Sequence, residues 1–267
     1  MLHRALERGV VLFTLVAFFT ALLVPAIAVQ LAIVGIPAPL PAPVPSPVSA
    51  ALPLPSPSPV PSAAPTPMPI LRVGIQSGHL QACDVPDELS ALRCAWGVSG
   101  NGWDEVVVNH QVALQVAGML RPEGIEVDIL PTTVPEEYRA NLFVALHSDG
   151  YDGDRSLRGF KVARAEWSRQ PAVDDALVRD LVTDYQTATG LPESRGTNTD
   201  NMTQYYAFDY AKYLHAISPS TPAAIIEMGL LTNDDDRELL TQHQERAARG
   251  IAKAVLDFLG RPSRTGL

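Results

Sequence analysis

Leu142-Phe143-Val144-Ala145-Leu146 is a continuous apolar run that ends at His147. Two other runs share its form. Residues 71–76 lead into Ser77-Gly78-His79, and residues 223–226 lead into Glu227. Short apolar runs without polar alternation read as strands buried on both faces, the pattern of a covered parallel sheet. Residues 126–130 alternate, and residues 159–163 are expected to add a further strand. The intervening spacing predicts helices. One starts at or near Asp104 with Val108, Val112, Val116 and Met119 in a stripe. A second spans 172–189 and is stopped by Gly190 and Pro192; a short third is capped by Asn233; the last spans 241–259. Strands alternating with helices predict a single α/β domain, a mainly parallel twisted sheet flanked by helices on both faces. Residues 80–103 have no steady period and carry Gly97, Gly100, Asn101 and Gly102, so they read as a long functional loop.

Not all of the 267 residues belong to that domain. After His3, Arg4 and Arg8, residues 9–36 hold only Thr14, Thr20 and Gln30 as plainly polar groups. Such a stretch is long enough to cross a bilayer, and the arginines before it direct the rest of the chain outward. Ala26-Ile27-Ala28 resembles a signal-peptidase site, so residues 1–36 are either a cleaved signal or a membrane anchor; the apolar run beyond Ala28 favours the anchor. Residues 37–69 carry proline at nearly every second position, which excludes helix and sheet. They are expected to form an extended spacer of roughly 100 Å at about 3.1 Å per residue. The folded domain is expected over 70–260, with 261–267 as a tail. The net charge of −9, carried mostly by the folded part, argues against nucleic acid as a partner. Cys83 and Cys94 are the only cysteines. On the oxidising side of a membrane they would form a local disulfide; zinc ligation is the lesser alternative.

The polar residues at the run ends carry the chemistry. In open α/β sheets, ligands bind beyond the carboxyl ends of parallel strands, so His79, His147 and Glu227 are expected on one rim. Glu105 shares a helical face with Val108 and Val112 and can reach the same rim. Two histidines and a glutamate form a common catalytic zinc set with one open position, and a further carboxylate, Glu227, suits a general base. Singly, each residue has an ordinary reading as a turn histidine, a helix-start charge or a salt-bridge partner. Among the other histidines, His215 is the spare ligand, while His3, His110 and His243 have no supporting context. Tyr205, Tyr206, Tyr210 and Tyr213 either line a groove or pack.

The order of these motifs resembles the zinc-dependent N-acetylmuramoyl-L-alanine amidases of the amidase-3 type. The matching stretches are Val73-Gly74-Ile75-Gln76-Ser77-Gly78-His79, Glu105 with Asn109, Leu142 through His147 to Ser148, Arg195-Gly196, and Ile226-Glu227-Met228-Gly229-Leu230-Leu231-Thr232-Asn233. The resemblance implies one Zn2+ on His79, Glu105 and His147, catalysis by Glu227, and substrate contacts from Arg195 and Asn233. It implies peptidoglycan as substrate, an extracytoplasmic location, and room for a protein activator. Gln76-Ser77 stands where the family has aspartate-proline, and Leu80-Gln81 where it has two glycines. The alternatives are another zinc peptidase or deacylase of related fold, or a non-catalytic wall-binding or activator module.

Overall fold

Residues 70–194 and 198–267 are described in the computed structural model of the chain. The expected membrane or signal segment, the proline-rich spacer and Arg195 lie outside the described residues. The strands are β1 (Leu71–Ser77), β2 (Ser99–Gly100), β3 (Trp103–Asp104), β4 (Ile125–Leu130), β5 (Leu142–Asp149), β6 (Lys161–Ala163) and β7 (Ala223–Leu230). The helices are α1 (Glu105–Leu120), α2 (Pro171–Thr189), α3 (Asp200–Thr203), α4 (Asp234–Gln242) and α5 (Gln244–Phe258). Among the described residues no helix is long and apolar enough to cross a membrane.

The main sheet runs β4-β1-β5-β7-β6. Its first four strands are parallel, and β6 closes one edge antiparallel to β7. The chain leaves β1 through α1 to reach β4 on one side, and β5 then pairs with β1 on the other. The strand order therefore reverses between β1 and β5, which is where ligand clefts form in such sheets. His79 follows β1, and His147 lies near the end of β5.

Alternation along each strand decides which side chains face which layer. Val73, Ile75, Leu142, Val144, Leu146, Ala224, Ile226 and Met228 join the larger core with α1, α2 and α5. Phe143, Ala145, Ala223 and Ile225 join the smaller core on the opposite face, with Met202, Tyr205 and Phe208. Helices thus lie on both faces, but unequally. Three long ones cover the first, and among the described residues the second carries α3, a 3₁₀ turn at Tyr206–Phe208 and extended chain. His147 and Glu227 fall in phase with the thinly covered face, so a cavity can open there without breaching the main core.

The loop over 80–103 holds more order than its sequence suggested. Two 3₁₀ segments, Ala82–Asp84 and Asp87–Leu92, precede the small antiparallel pair β2–β3. The Cys83–Cys94 disulfide closes it. The C-terminal residues fold back on the domain. Glu123, buried after α1, accepts hydrogen bonds from Arg264 N at 2.7 Å and Thr265 N at 2.9 Å.

Helix α5 crosses α2 at Gly250, where an added Cβ would stand 2.8 Å from Tyr185 Cα. Overpacking of a backbone contact of this kind costs about 1–3 kcal/mol. Gly250→Ala is expected to lower the unfolding free energy by that amount, read as a lower urea midpoint. An unchanged midpoint in urea would show that α2 and α5 are free to separate.

Candidate metal centre

The site begins with backbone. The amide of Gly78 donates to Leu146 O at 3.0 Å, which carries the β1–β5 pairing one residue past the strand. His79 then takes φ 65, the left-handed region that non-glycine residues seldom occupy. This turn directs its imidazole back over the strand ends. Nδ1 of His79 lies 2.7 Å from the carbonyl oxygen of Ala95. A carbonyl can only accept, so Nδ1 carries the hydrogen and Nε2 is left with its lone pair. That nitrogen stands 3.3 Å from Glu105 Oε1.

Glu105 is the first residue of α1 and is 3% exposed. Its Oε2 accepts from Val98 N at 2.9 Å, and its Oε1 accepts from Asn109 Nδ2 and Ser148 N, both at 3.1 Å. Asn109 is one turn further along the helix, and Ser148 holds Asn109 in turn through a 3.0 Å bond. Burial alone would raise the Glu105 carboxyl. The close approach of the His147 and His79 imidazoles outweighs that and holds it far below the usual carboxylate range. The converse acts on His79: burial lowers it, but the Glu105 carboxylate and the Ala95 carbonyl together raise it.

His147 closes the group. Nδ1 of His147 is 2.9 Å from Glu105 Oε1, and its Nε2 is 3.0 Å from the Tyr205 hydroxyl. The donor atoms of His79, Glu105 and His147 all lie within 4.8 Å of one another. A tetrahedral ion with bonds of about 2.0–2.1 Å sets its ligand atoms roughly 3.3–3.4 Å apart. Of the two observed separations from Glu105 Oε1, 3.3 Å matches that edge length and 2.9 Å is shorter than it. The donor chemistry fits as well: a free imidazole nitrogen is aimed at an anionic oxygen, an arrangement of acceptors that a cation satisfies.

Glu227 stands beside this cluster. The β5–β7 register pairs it with His147, and the β7–β6 register pairs it with Lys161, so the three form a row across the thinly covered face. Glu227 Oε2 is buried and has no hydrogen-bond partner among the described residues. Desolvation raises its carboxyl well above the ordinary value, the charges of Glu105 and Asp149 add to this, and Lys161 opposes it. Lys161 is itself paired with Asp149. His79, Glu105, His147 and Glu227 line one cavity of about 480 Å³, whose walls include Val98, Tyr205 and Tyr206.

The other expected residues divide. Asn233 does not line that cavity. Its oxygen caps α4 by accepting from Asp235 N and Asp236 N, both at 3.1 Å, and its amide donates to Arg155 O at 2.9 Å. The structure shows Asn233 as a helix cap, with its oxygen and its amide both engaged. Cys83 and Cys94 are bonded to each other, which removes zinc ligation by thiolate as an alternative. His215 pairs with Glu88 at 2.7 Å and stays outside the cluster. Tyr205 and Tyr206 line the cavity, while Tyr210 and Tyr213 sit beside Arg169 and Lys212. Sequence reasoning missed the Ala95 carbonyl and the Val98 amide. Backbone groups leave no trace in side-chain identity, and only the glycines of that loop hinted at them.

A mainly parallel α/β domain with a His-Glu-His donor set and a buried carboxylate at its switch point defines a hydrolase built around a candidate metal centre. A family model described as N-acetylmuramoyl-L-alanine amidase matches residues 73–257, and the chain belongs to that family. It is accordingly an amidase that hydrolyses peptidoglycan. Solved structures share the fold. Ami1 of Mycobacterium smegmatis is 18% identical, with a TM-score of 0.54 over 71% of this chain and 97% of that one. AmiC2 of Nostoc punctiforme is 20% identical, with a TM-score of 0.51 over 72% and 98%. The catalytic domain of CwlV from Bacillus (Paenibacillus) polymyxa is 20% identical, with a TM-score of 0.50 over 72% and 100%. No match was found among curated proteins.

Gly97, at φ +78, packs against Glu105, and a Cβ there would collide with Oε2. Gly97→Ala is expected to displace the carboxylate and weaken metal binding roughly 10- to 100-fold, read by competition with a chelator. Unaltered affinity would show that the loop does not hold Glu105. Asn233→Ala should lower stability by about 1 kcal/mol as a lost cap, with KM for peptidoglycan fragments unchanged. A raised KM at unchanged stability would identify Asn233 as a substrate contact.

Proposed function

We propose that the cluster holds one Zn2+ through His79 Nε2, Glu105 Oε1 and His147 Nδ1, and that the enzyme cleaves the amide between the lactyl group of muramic acid and L-alanine. The reading is carried by one observation: these donor atoms converge at metal-ligand spacing beside a buried carboxylate oxygen without a partner. Zinc in a two-histidine, one-glutamate set polarises a carbonyl and supplies a water that ionises near neutrality.

The chain's own groups then divide the remaining work. Glu227 takes a proton from the attacking water. It later gives that proton to the nitrogen of L-alanine as the C–N bond breaks, leaving a free carboxyl on the lactyl group. Its Oε2, buried without a hydrogen-bond partner beside the cluster, is free to take and return that proton. Val98, Tyr205 and Tyr206 bound the cavity and limit bulk water around the reacting bond. Lys161, balanced by Asp149, keeps the surroundings of Glu227 from becoming wholly anionic.

In the same reading the enzyme works outside the cytoplasmic membrane. Residues 1–36 serve as anchor or signal, and residues 37–69 hold the domain away from the bilayer. The disulfide supports an oxidising compartment.

Glu227→Ala is expected to retain zinc and to slow dye release from labelled peptidoglycan by roughly 10²- to 10⁴-fold. Loss of zinc with activity kept would contradict the assignment. Chelation should abolish the parent's activity and added zinc restore it. Mass analysis of the products should show stem peptides beginning at free L-alanine. Cleavage elsewhere in the stem would point to a peptidase, and binding to sacculi without turnover or metal dependence to a wall-binding module.

A further inference from the structure

Behind His147, on the side away from Glu105, lie a glutamine and two tyrosines. Gln76 is on β1, fully buried, in phase with the thinly covered face. Its amide nitrogen is 3.1 Å from Pro131 O, 3.3 Å from Thr132 O and 2.7 Å from the Tyr206 hydroxyl. Carbonyl oxygens only accept, so the amide orientation is set by its surroundings, with nitrogen on this side and oxygen on the other. Tyr206 gives its own proton to Thr132 O at 2.5 Å and can therefore accept from Gln76. The amide oxygen, Oε1, faces the Tyr205 hydroxyl at 3.0 Å.

Tyr205 has one proton and two close neighbours, Gln76 Oε1 and His147 Nε2, each at 3.0 Å. The Tyr206 hydroxyl, at 3.5 Å, is a weaker third. An imidazole nitrogen can donate; an amide oxygen cannot. With a cation on His147 Nδ1, the arrangement that also gives Gln76 Oε1 a donor has Tyr205 donating to Gln76 and accepting from His147 Nε2–H. Neutral His147 then has no hydrogen on Nδ1. The reverse arrangement would put the hydrogen on Nδ1, toward Glu105 Oε1, and would leave Gln76 Oε1 without a donor among the described residues. A buried acceptor without a donor is disfavoured.

We infer that Gln76 and Tyr205 are positioning residues: their hydrogen bonds fix His147 in the Nε2-protonated tautomer and so prepare Nδ1 as a metal ligand. The inference rests on the metal centre proposed above. It also gives the departure at position 76 a physical reason. A carboxylate there would turn an oxygen toward the carbonyls of Pro131 and Thr132, whereas an amide meets them with a donor.

The test uses the full-length protein, stripped of metal and titrated with zinc against a competing chelator. Tyr205→Phe and Gln76→Met are each expected to weaken zinc binding about tenfold or more, as outer hydrogen-bond partners of metal histidines do. Both remove the same relay, so the double variant should lose no more than Tyr205→Phe alone. Affinities within about twofold of the parent, or losses that add as independent packing defects do, overturn the inference. A second measurement needs no variant. Nitrogen-15 NMR of the zinc-loaded parent should show His147 bound through Nδ1 with a protonated Nε2; a bare or zinc-bound Nε2 overturns the inference. If the parent binds no zinc, the metal centre itself is refuted and this inference with it. If the parent binds zinc and the variants match it, only the relay is refuted.

Discussion

The site depends on the way unshared electron pairs are made to face one another. The Ala95 carbonyl holds the hydrogen of His79 on the far nitrogen, so a bare nitrogen points at the Glu105 carboxylate. Glu105 cannot turn away, because Val98 N, Ser148 N and Asn109 Nδ2 grip both of its oxygens. Crowded acceptors repel unless a positive charge sits among them. The fold thus maintains, at the switch point of its sheet, an arrangement that suits a cation better than it suits itself.

Much of this restraint comes from the loop before α1 rather than from the sheet. The disulfide ties the two ends of the segment that leads to Ala95, and Cys94 N donates to Ala82 O at 2.9 Å across its base. Glu88, within the same segment, accepts from Leu214 N at 3.0 Å and His215 N at 2.9 Å. The loop is thereby fastened to the chain that also supplies Tyr205 and Tyr206. What the thinly covered face lacks in long helices, this crosslinked segment replaces in rigidity.

The division of labour between the two faces follows from strand alternation. One phase of β1, β5 and β7, apolar up to Ser77 and Ser148 at the strand ends, builds the main core with α1, α2 and α5. The other phase carries Gln76, His147 and Glu227 among apolar neighbours. Polar groups placed in that phase are buried enough for desolvation to act on Glu227, yet they border a cavity that substrate can enter.

The parallel strands were legible because an apolar run of five or six residues has few other uses, and α2 and α5 because their period is helical. The convergence of His79, Glu105, His147 and Glu227 was legible because each follows an apolar run or opens a helix, although β5 and β7 continue past His147 and Glu227. Asn233 was legible as a cap. The pairing order that puts β5 beside β1, the left-handed turn at His79, and the approach of Ala95, Val98 and Tyr205 to the ligands were decided only in three dimensions. They are contacts of backbone groups, or of residues far apart in the chain. Local sequence fixes what a segment prefers to be, and only the packed chain fixes which carbonyl or hydroxyl stands within hydrogen-bond reach of a given nitrogen.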